Sequence, residues 1–416
     1  MKATTSHLTP RRLFLKSGAM AMFSLGFAPA FLTRAAEAAE PRKRLLIALF
    51  QRGAVDGLNM VVPFGEAEYY RLRTSIAVAR PGSMDVAALD LDGFFGLHPR
   101  MSPLKPLWDA GQLAIVHACG SPDSTRSHFD AQDYMESATP GIKATRDGWL
   151  NRYLQVTGQP APLRGVAVSR QMPRSLQGRA PALAFPAVDA FQVRGGSTAQ
   201  RAFEESYAQA KDPLLTASAR EAVEAMDVLR SATAGSYTPA GGAEYPRSAF
   251  GQALQEIARL AKADVGLEVA FAEAGGWDTH VNQGSGDGQL AGRLDDFSRA
   301  IAALSTDLGD RMADTVIVTM SEFGRAAAEN GNGGTDHGHG NAMMVIGGRV
   351  RGGRVYGRWP GLSAEQLNEG RDLAVTTDFR DVFDDILTRH LRLAPEAAAT
   401  VFPGYAAKSG LDLIRG

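Results

Sequence analysis

Short apolar runs alternate along the chain with amphipathic stretches. The runs predicted to be strands are 45–50, 113–117, 164–169, 267–271, 315–320 and 342–346. Runs with few polar interruptions are typical of strands that a parallel sheet buries on both faces. Apolar residues recur at helical spacing in 250–263, in 290–308 and in a segment that Thr377 is predicted to cap. The pattern therefore predicts an α/β fold with a mainly parallel central sheet between helices.

The first 39 residues are predicted to be a cleavable export signal. An arginine pair, Arg11-Arg12, is followed by Phe14-Leu15-Lys16, which closely matches the twin-arginine signal. The apolar stretch after it is too short and too rich in glycine to be a comfortable membrane span, and a small-x-small cleavage site follows. Residues 40–416 are then expected to form one large α/β domain. The region around 170–246, which is helical in composition between 199 and 232, is interpreted as a helical cap or insertion.

Charge and cysteine content exclude some classes of function. The 416 residues carry a net charge of −1, which makes nucleic acid an unfavourable partner. The single cysteine, Cys119, rules out an internal disulfide. The mature chain contains no stretch long and apolar enough to be a stable membrane span.

The loop after the run 315–320 carries the densest group of candidate metal ligands. Asp336, His337 and His339 lie within four residues of one another, with glycines between them that allow the backbone to turn tightly. A carboxylate with neutral imidazoles is a ligand mixture that borderline divalent metals favour. Glu322, at the end of the run, is a further ligand or a general base. The alternative is a solvated turn in which Asp336 caps a bend.

Two other loops after predicted strands carry similar side chains. Asp56 belongs to an Asp-Gly pair that follows the first strand, where ligands of α/β sheets often bind, although Asp-Gly is also a common turn. Asp278 and His280 are two residues apart, so an extended backbone points both to one face. They are interpreted as metal ligands, or else as a pair that holds the loop.

A hydroxyl group precedes a predicted helix that runs to residue 136. Ser127, or Ser124 as the less favoured choice, lies where the helix N-terminus would stabilise developing negative charge. The neighbouring side chains of Arg126 and His128 could bind an anion or act as a base. The alternative is that the serine is an ordinary N-cap.

Taken together, the motifs resemble one exported bacterial family, the domain of unknown function 1501. The motifs are the twin-arginine signal, Phe-Gln-Arg-Gly-Ala-Val-Asp-Gly-Leu-Asn, Ser-His-Phe-Asp-Ala-Gln, Gly-Gly-Trp-Asp-Thr-His, Ser-Glu-Phe-Gly-Arg and Gly-Thr-Asp-His-Gly-His-Gly. That family is similar to the alkaline phosphatase and sulfatase superfamily, which implies an alkaline-phosphatase-like fold. The superfamily's site implies metal-binding roles for Asp56, Asp278, His280, Asp336, His337 and His339. It implies a nucleophile at Ser127.

The function predicted from the sequence is an exported, metal-dependent hydrolase of phosphate or sulfate esters. One or two divalent ions, which could be zinc, manganese or calcium, would activate Ser127 or a water molecule. Arg126 or Arg325 would hold a small anionic ester. The twin-arginine export machinery is an expected partner, and the destination is the periplasm or the exterior. The alternative is a non-catalytic exported scaffold or partner-binding protein that retains the hydrolase fold.

Overall fold

A computed structural model describes residues 44–84, 86–158, 163–188, 224–225, 227–230, 235–407 and 410–415. The predicted export signal at 1–39 and most of the predicted helical segment at 199–232 lie outside these residues. No helix within the described ranges is both long and apolar enough to cross a membrane.

The core of the protein is a large sheet with one strand running against the others. In spatial order the strands are β11 (Arg354–Tyr356), β5 (Leu113–Gly120), β10 (Asn341–Gly347), β9 (Thr315–Met320), β1 (Leu45–Arg52), β8 (Val269–Gly275), β6 (Gly165–Val168) and β7 (Leu183–Phe185). A short strand, β12 (Thr377–Asp378), pairs with β5 in parallel. All described pairings in this sheet are parallel except those of β10 with β5 and β9. The prediction of a mainly parallel sheet is therefore confirmed.

Helices cover both faces of the sheet. They are α1 (Gly57–Met60), α2 (Ala67–Leu72), α3 (Lys105–Asp109), α4 (His128–Ser137), α5 (Trp149–Val156), α6 (Ala249–Lys262), α7 (Gln289–Leu308), α8 (Phe379–Asp385) and α9 (Pro395–Val401). The 3₁₀ segments are Pro99–Leu104, Arg174–Leu176 and Gly309–Asp314, and a π-helical turn, Ile386–His390, continues α8. Three short strands, β2 (Val61–Val62), β4 (Gly96–Leu97) and β3 (Leu89–Asp90), form a separate small sheet.

The continuous apolar runs are explained by burial on both faces. In β1, Ile47 and Leu49 pack with helices α6 and α7 on one face, whereas Ala48 and Phe50 pack with α5 and α8 on the other. Alternate side chains of a strand point to opposite faces, so a strand covered on both sides needs apolar residues at every position. Full burial of each large aliphatic or aromatic side chain contributes about 1.5–3 kcal/mol.

Three details differ from the sequence-based expectations. The strand that follows the Asp336–His337 loop, β10, runs antiparallel to its neighbours. The N-cap of α8 is Asp378, whose carboxylate accepts from Arg380 N, and not Thr377, which lies one residue earlier. Within the predicted cap region of 170–246, β7 pairs with β6 as the last strand of the main sheet.

Candidate functional site

Five neighbouring strands bring the candidate residues to one edge of the sheet. The loops after β5, β9, β1 and β8 leave from the carboxyl edge, and antiparallel β10 begins there because its first residue pairs near the end of β5. Residues as far as 272 positions apart in the sequence, Gly53 and Arg325, therefore meet at one place. This is the edge at which open α/β sheets commonly bind ligands.

The side chains of His128, Asp278 and His337 converge on one point. One ligand atom from each lies within 4.8 Å of the other two. The Nε2 atoms of His128 and His337 are 3.0 Å apart, and Asp278 approaches His337 Nε2 to 3.2 Å and His128 Nε2 to 3.5 Å through its two oxygens. Ligands of a tetrahedral zinc ion lie roughly 3.3 Å apart when each is 2.0–2.1 Å from the metal. The observed separations match such a coordination shell.

His280 adjoins this group from the next loop. Its Nε2 lies 3.0 Å from His337 Nε2 and 3.0 Å from Asp278 Oδ1. Asp278 and His280 thus reach the same centre, as expected for residues two apart in extended backbone. His280 is available as a further ligand beside the three that share one point.

Each of these histidines is oriented through its other ring nitrogen. Nδ1 of His128 meets Glu322 at 2.8 Å, Nδ1 of His337 meets the backbone oxygen of Arg126 at 3.0 Å, and Nδ1 of His280 meets Asp336 at 3.2 Å. Carbonyl and carboxylate oxygens only accept, so each Nδ1 must donate its proton. Neutral rings then hold a lone pair on Nε2, which is the arrangement found in metal-binding histidines.

The consequence is an electrostatic conflict that a cation resolves. Nε2 lone pairs of neutral His128 and His337 would face each other at 3.0 Å beside the carboxylate of Asp278. A divalent ion between these atoms, or a proton on one ring, turns the repulsion into attraction. The pKa of His128 is raised by its hydrogen bond to Glu322, while burial lowers the pKa of His337.

Glu322 is hydrogen-bonded to His128 and orients its ring. It is buried, and its Oε1 accepts from His128 Nδ1, Gln132 Nε2 and Gly53 N at 2.8–2.9 Å. Burial opposes ionisation, but the donors, led by His128, outweigh it and lower the pKa of Glu322. The structure therefore gives Glu322 an orienting contact with a candidate ligand, where the sequence suggested a direct ligand or a base.

Arg325 orients Asp278, the carboxylate of the centre. Its buried guanidinium donates to Asp278 Oδ1 at 2.6 Å and to the backbone oxygens of Gly53, Ala54, Trp277 and Thr335. Burial raises the pKa of Asp278, but the charge of Arg325 prevails and lowers it. Because these bonds occupy its N–H groups, Arg325 is not placed to bind the substrate anion that the sequence assigned to it. It instead orients Asp278, a candidate ligand.

Close backbone approach explains two glycines of the β9–β10 loop. A Cβ atom on Gly334 would lie 2.4 Å from the backbone of His280, and one on Gly338 would lie 2.2 Å from the backbone of Arg325. Such distances exclude any side chain. These glycines allow the loop that carries His337 to lie directly against the loop that carries Asp278.

The centre is open to solvent. The exposed fraction of the side chain is 25% for His128, 26% for His337, 39% for His280 and 42% for Asp278. A closed structural metal site would bury its ligands, whereas a catalytic site keeps a position open for water or substrate.

Several predicted site residues have other partners. Asp56 is fully buried and pairs with Arg73 Nη1 at 2.6 Å, and its carboxylate also caps α1. His339 is buried and its Nε2 lies 2.8 Å from the backbone oxygen of Ser121. Asp336 contacts His280 Nδ1 and Asn330. Asp56 and His339 therefore have no described contact with the histidine centre, and Asp336 contacts it only through His280.

Of the candidate residues at the start of α4, only His128 directs its side chain into the centre. Ser127 and Ser124 are exposed, and neither hydroxyl has a described hydrogen bond, so Ser127 does not act as a side-chain cap of α4. Arg126 pairs with Asp372 and Glu369 through its guanidinium, and its backbone oxygen orients His337. His128, expected as a base or anion ligand, instead directs Nε2 into the centre.

One cationic residue near the centre was missed by the sequence analysis. Arg371 is 41% exposed, and its Nη2 donates to the backbone oxygen of His337 at 2.9 Å. It lies in a segment between β11 and β12 that has no apolar run before it. Nothing in the sequence pattern connected it to the β9–β10 loop.

Comparison with known proteins gives one family match. The family described as "Protein of unknown function (DUF1501)" matches residues 43–401. No curated protein and no solved structure matches the chain.

Proposed function

The chain belongs to the DUF1501 family, and on that footing we propose that it is an exported metal-dependent hydrolase of phosphate or sulfate esters. The observation that carries the proposal is the solvent-open convergence of His128, Asp278 and His337, with each histidine Nδ1 held by an oxygen acceptor. His280 is the candidate fourth ligand.

The ligand chemistry narrows the choice of ion. Calcium prefers six to eight oxygen ligands and manganese also prefers oxygen ligands, whereas two or three imidazoles with one carboxylate favour zinc. Because Asp56 is neutralised by the guanidinium of Arg73, a single ion at the histidine centre is the simplest arrangement. A bound divalent ion would polarise the ester and promote ionisation of an attacking hydroxyl or water.

The residues of the chain supply the remaining functions. Ser127 is the candidate nucleophile because its hydroxyl is exposed, has no described partner, and directly precedes the ligand His128 at the start of α4. Arg371 is the candidate anion-binding residue, since its side chain is partly exposed beside His337. Arg126 would need to leave Asp372 and Glu369 before it could bind an anionic ester.

The alkaline-phosphatase-like fold and the export route belong to the same proposal. A mainly parallel sheet between helices, with the candidate ligands at its carboxyl edge, is consistent with that superfamily. Arg11-Arg12 and the apolar stretch after them support transport by the twin-arginine machinery to the periplasm or exterior.

The test combines metal analysis with ester hydrolysis. Protein purified after export is expected to contain about one transition metal ion per chain and to hydrolyse an aryl phosphate or aryl sulfate. Asp278→Asn should lower metal content and activity together, and Ser127→Ala should lower activity alone. Asp130 lies on the same helix and pairs with Lys143 at the surface, so Asp130→Asn is the matched control. Metal-free protein with no chelator-sensitive property would refute the proposal.

A non-catalytic scaffold is the second candidate. The observation that favours it is that Arg126 and Arg325 both have their guanidinium groups engaged by carboxylates. In that case the protein would bind metal with the same ligands, but Asp278→Asn would change stability without any hydrolytic activity to lose.

A further inference from the structure

A buried glutamine of the loop that carries Asp278 and His280 contacts the loop that carries His337. Gln283 is fully buried and makes three side-chain hydrogen bonds. Its Oε1 accepts from Thr279 Oγ1 at 2.8 Å and from Thr335 Oγ1 at 2.9 Å, and its Nε2 donates to Asp56 Oδ2 at 2.6 Å. The partners fix the orientation of the amide, because a carboxylate only accepts and so must face the NH₂ group.

The two threonines are the residues next to the candidate ligands. Thr279 lies between Asp278 and His280, and Thr335 immediately precedes Asp336 and His337. Both threonines are buried, and Thr335 N also donates to the backbone oxygen of Thr279 at 3.1 Å. Gln283 belongs to the loop after β8, so its amide oxygen joins Thr279 of its own loop to Thr335 of the loop between β9 and β10, and its backbone nitrogen donates to Gly333 O of that second loop at 2.8 Å.

Asp56 anchors the glutamine to the rest of the protein. Its carboxylate accepts from Arg73 Nη1 and from the backbone nitrogens of Leu58 and Asn59. Arg73, itself fully buried, donates onward to the backbone oxygens of Ala326 and Ala327 just beyond Arg325. The network therefore joins the loops after β1, β8 and β9 through buried groups that are all hydrogen-bonded.

We propose that Gln283 is a positioning residue that sets the separation of the two ligand-bearing loops through Thr279 and Thr335. The proposal rests on the metal centre described under Proposed function. It gives Asp56 a supporting part, since its carboxylate holds Gln283 while Arg73 supplies its counter-charge. A metal site whose ligands come from separate loops loses affinity when the loops drift apart, because the ligand atoms must meet within a few tenths of an ångström.

The experiment measures metal affinity in near-isosteric variants. Thr279→Val and Thr335→Val each remove one hydroxyl that donates to Gln283, and Gln283→Ala removes the amide. Thr315→Val is the matched control, because Thr315 is also buried and donates one hydroxyl hydrogen bond, to Arg311 O. Zinc affinity is measured by chelator competition, cobalt(II) spectra report the ligand geometry, and unfolding of the metal-free proteins reports stability.

Each threonine variant is expected to bind zinc about 10-fold more weakly, and Gln283→Ala about 100-fold, in the range found for residues that support metal ligands. The control should stay within about 2-fold of the parent protein. Adding Thr335→Val to Gln283→Ala should cause no further loss, because the two changes remove the same bond.

Two results would overturn the inference, and they are distinguishable. A parent protein that binds zinc, with variants that bind it equally well or lose no more affinity than Thr315→Val, refutes the role of Gln283 alone. A parent protein that binds neither zinc nor cobalt refutes the metal centre as well. If Gln283→Ala fails to fold, the two threonine variants still decide between these outcomes.

Discussion

Replacing Glu322 by glutamine tests the support of His128 directly. The substitution keeps the size of the side chain and one oxygen that can still accept from His128 Nδ1, Gln132 and Gly53. The new NH₂ group would face Ser321 Oγ, whose single hydroxyl proton is shared in the parent protein between Glu322 Oε2 at 3.1 Å and Gln51 O at 2.8 Å. In the variant the hydroxyl of Ser321 can accept from this NH₂ group and donate to Gln51 O alone, so the fold should tolerate the change.

The magnitude follows from the loss of charge. A hydrogen bond to an ionised acceptor is roughly twice as strong as a neutral one, and loss of a group that supports a metal ligand lowers metal affinity about 10- to 100-fold. That range corresponds to about 1.4–2.7 kcal/mol. The pKa of His128, which the hydrogen bond to Glu322 raises, should fall in the variant.

Two measurements check the effect of Glu322→Gln. Chelator competition gives the metal affinity, and NMR titration of the metal-free protein gives the pKa of His128. Glu329→Gln is the matched control, because Glu329 belongs to the same loop but accepts from Thr74, Ser75 and Ile76. Equal metal affinity in parent and Glu322→Gln, with an unchanged pKa of His128, would refute the reasoning.

Three further predictions concern stability and export. His337→Ala should abolish the stabilisation by metal, which is about 2.7 kcal/mol when free metal is a hundred times its dissociation constant; an unchanged effect of chelator on the melting temperature would contradict this. Burial lowers the pKa of three histidines to about 4, namely His98, His117 and His390. Below the ordinary pKa of 6.5 the unfolded chain binds protons more readily than the native state, so each of these histidines should lower the free energy of unfolding by up to about 3 kcal/mol as the pH falls from 6.5 to 4. A free energy of unfolding, measured with urea, that stays constant over that pH range would contradict this prediction. Replacing Arg11 and Arg12 by lysine should leave unprocessed protein in the cytoplasm, where cell fractionation would detect it; normal export would exclude the twin-arginine route.

The strands were predictable because burial on both faces leaves an unbroken apolar run. The runs at 45–50 and 315–320 reappear as β1 and β9 with the same first residues. The direction of β10 was not predictable, because an apolar run reads the same for parallel and antiparallel strands. Short strands such as β11 and β12 were not predicted either, since two or three residues are too few to show a hydrophobic pattern.

The site was predictable in location more than in detail. Asp278, His280 and His337 follow or precede core strands, and that position alone indicated that they would converge. The partner of Asp56 was not predictable, because the ion pair with Arg73 depends on how the loop between them folds. The orienting contact of Glu322 likewise depends on α4 packing over the end of β9, which brings His128 to it across 194 positions of sequence.

Assembly of the centre from distant loops makes it a reporter of the whole fold. The β9–β10 loop has an exposed tip at Gly331, where an added Cβ would meet no other atom within 4 Å. A chain divided there would carry His128, Asp278 and His280 on one fragment and His337 on the other. Neither fragment alone could complete the ligand set. When the two fragments are mixed, the rate at which metal binding recovers would therefore report the rate at which β10 inserts between β5 and β9. The proposed ion could then serve as a probe of sheet assembly.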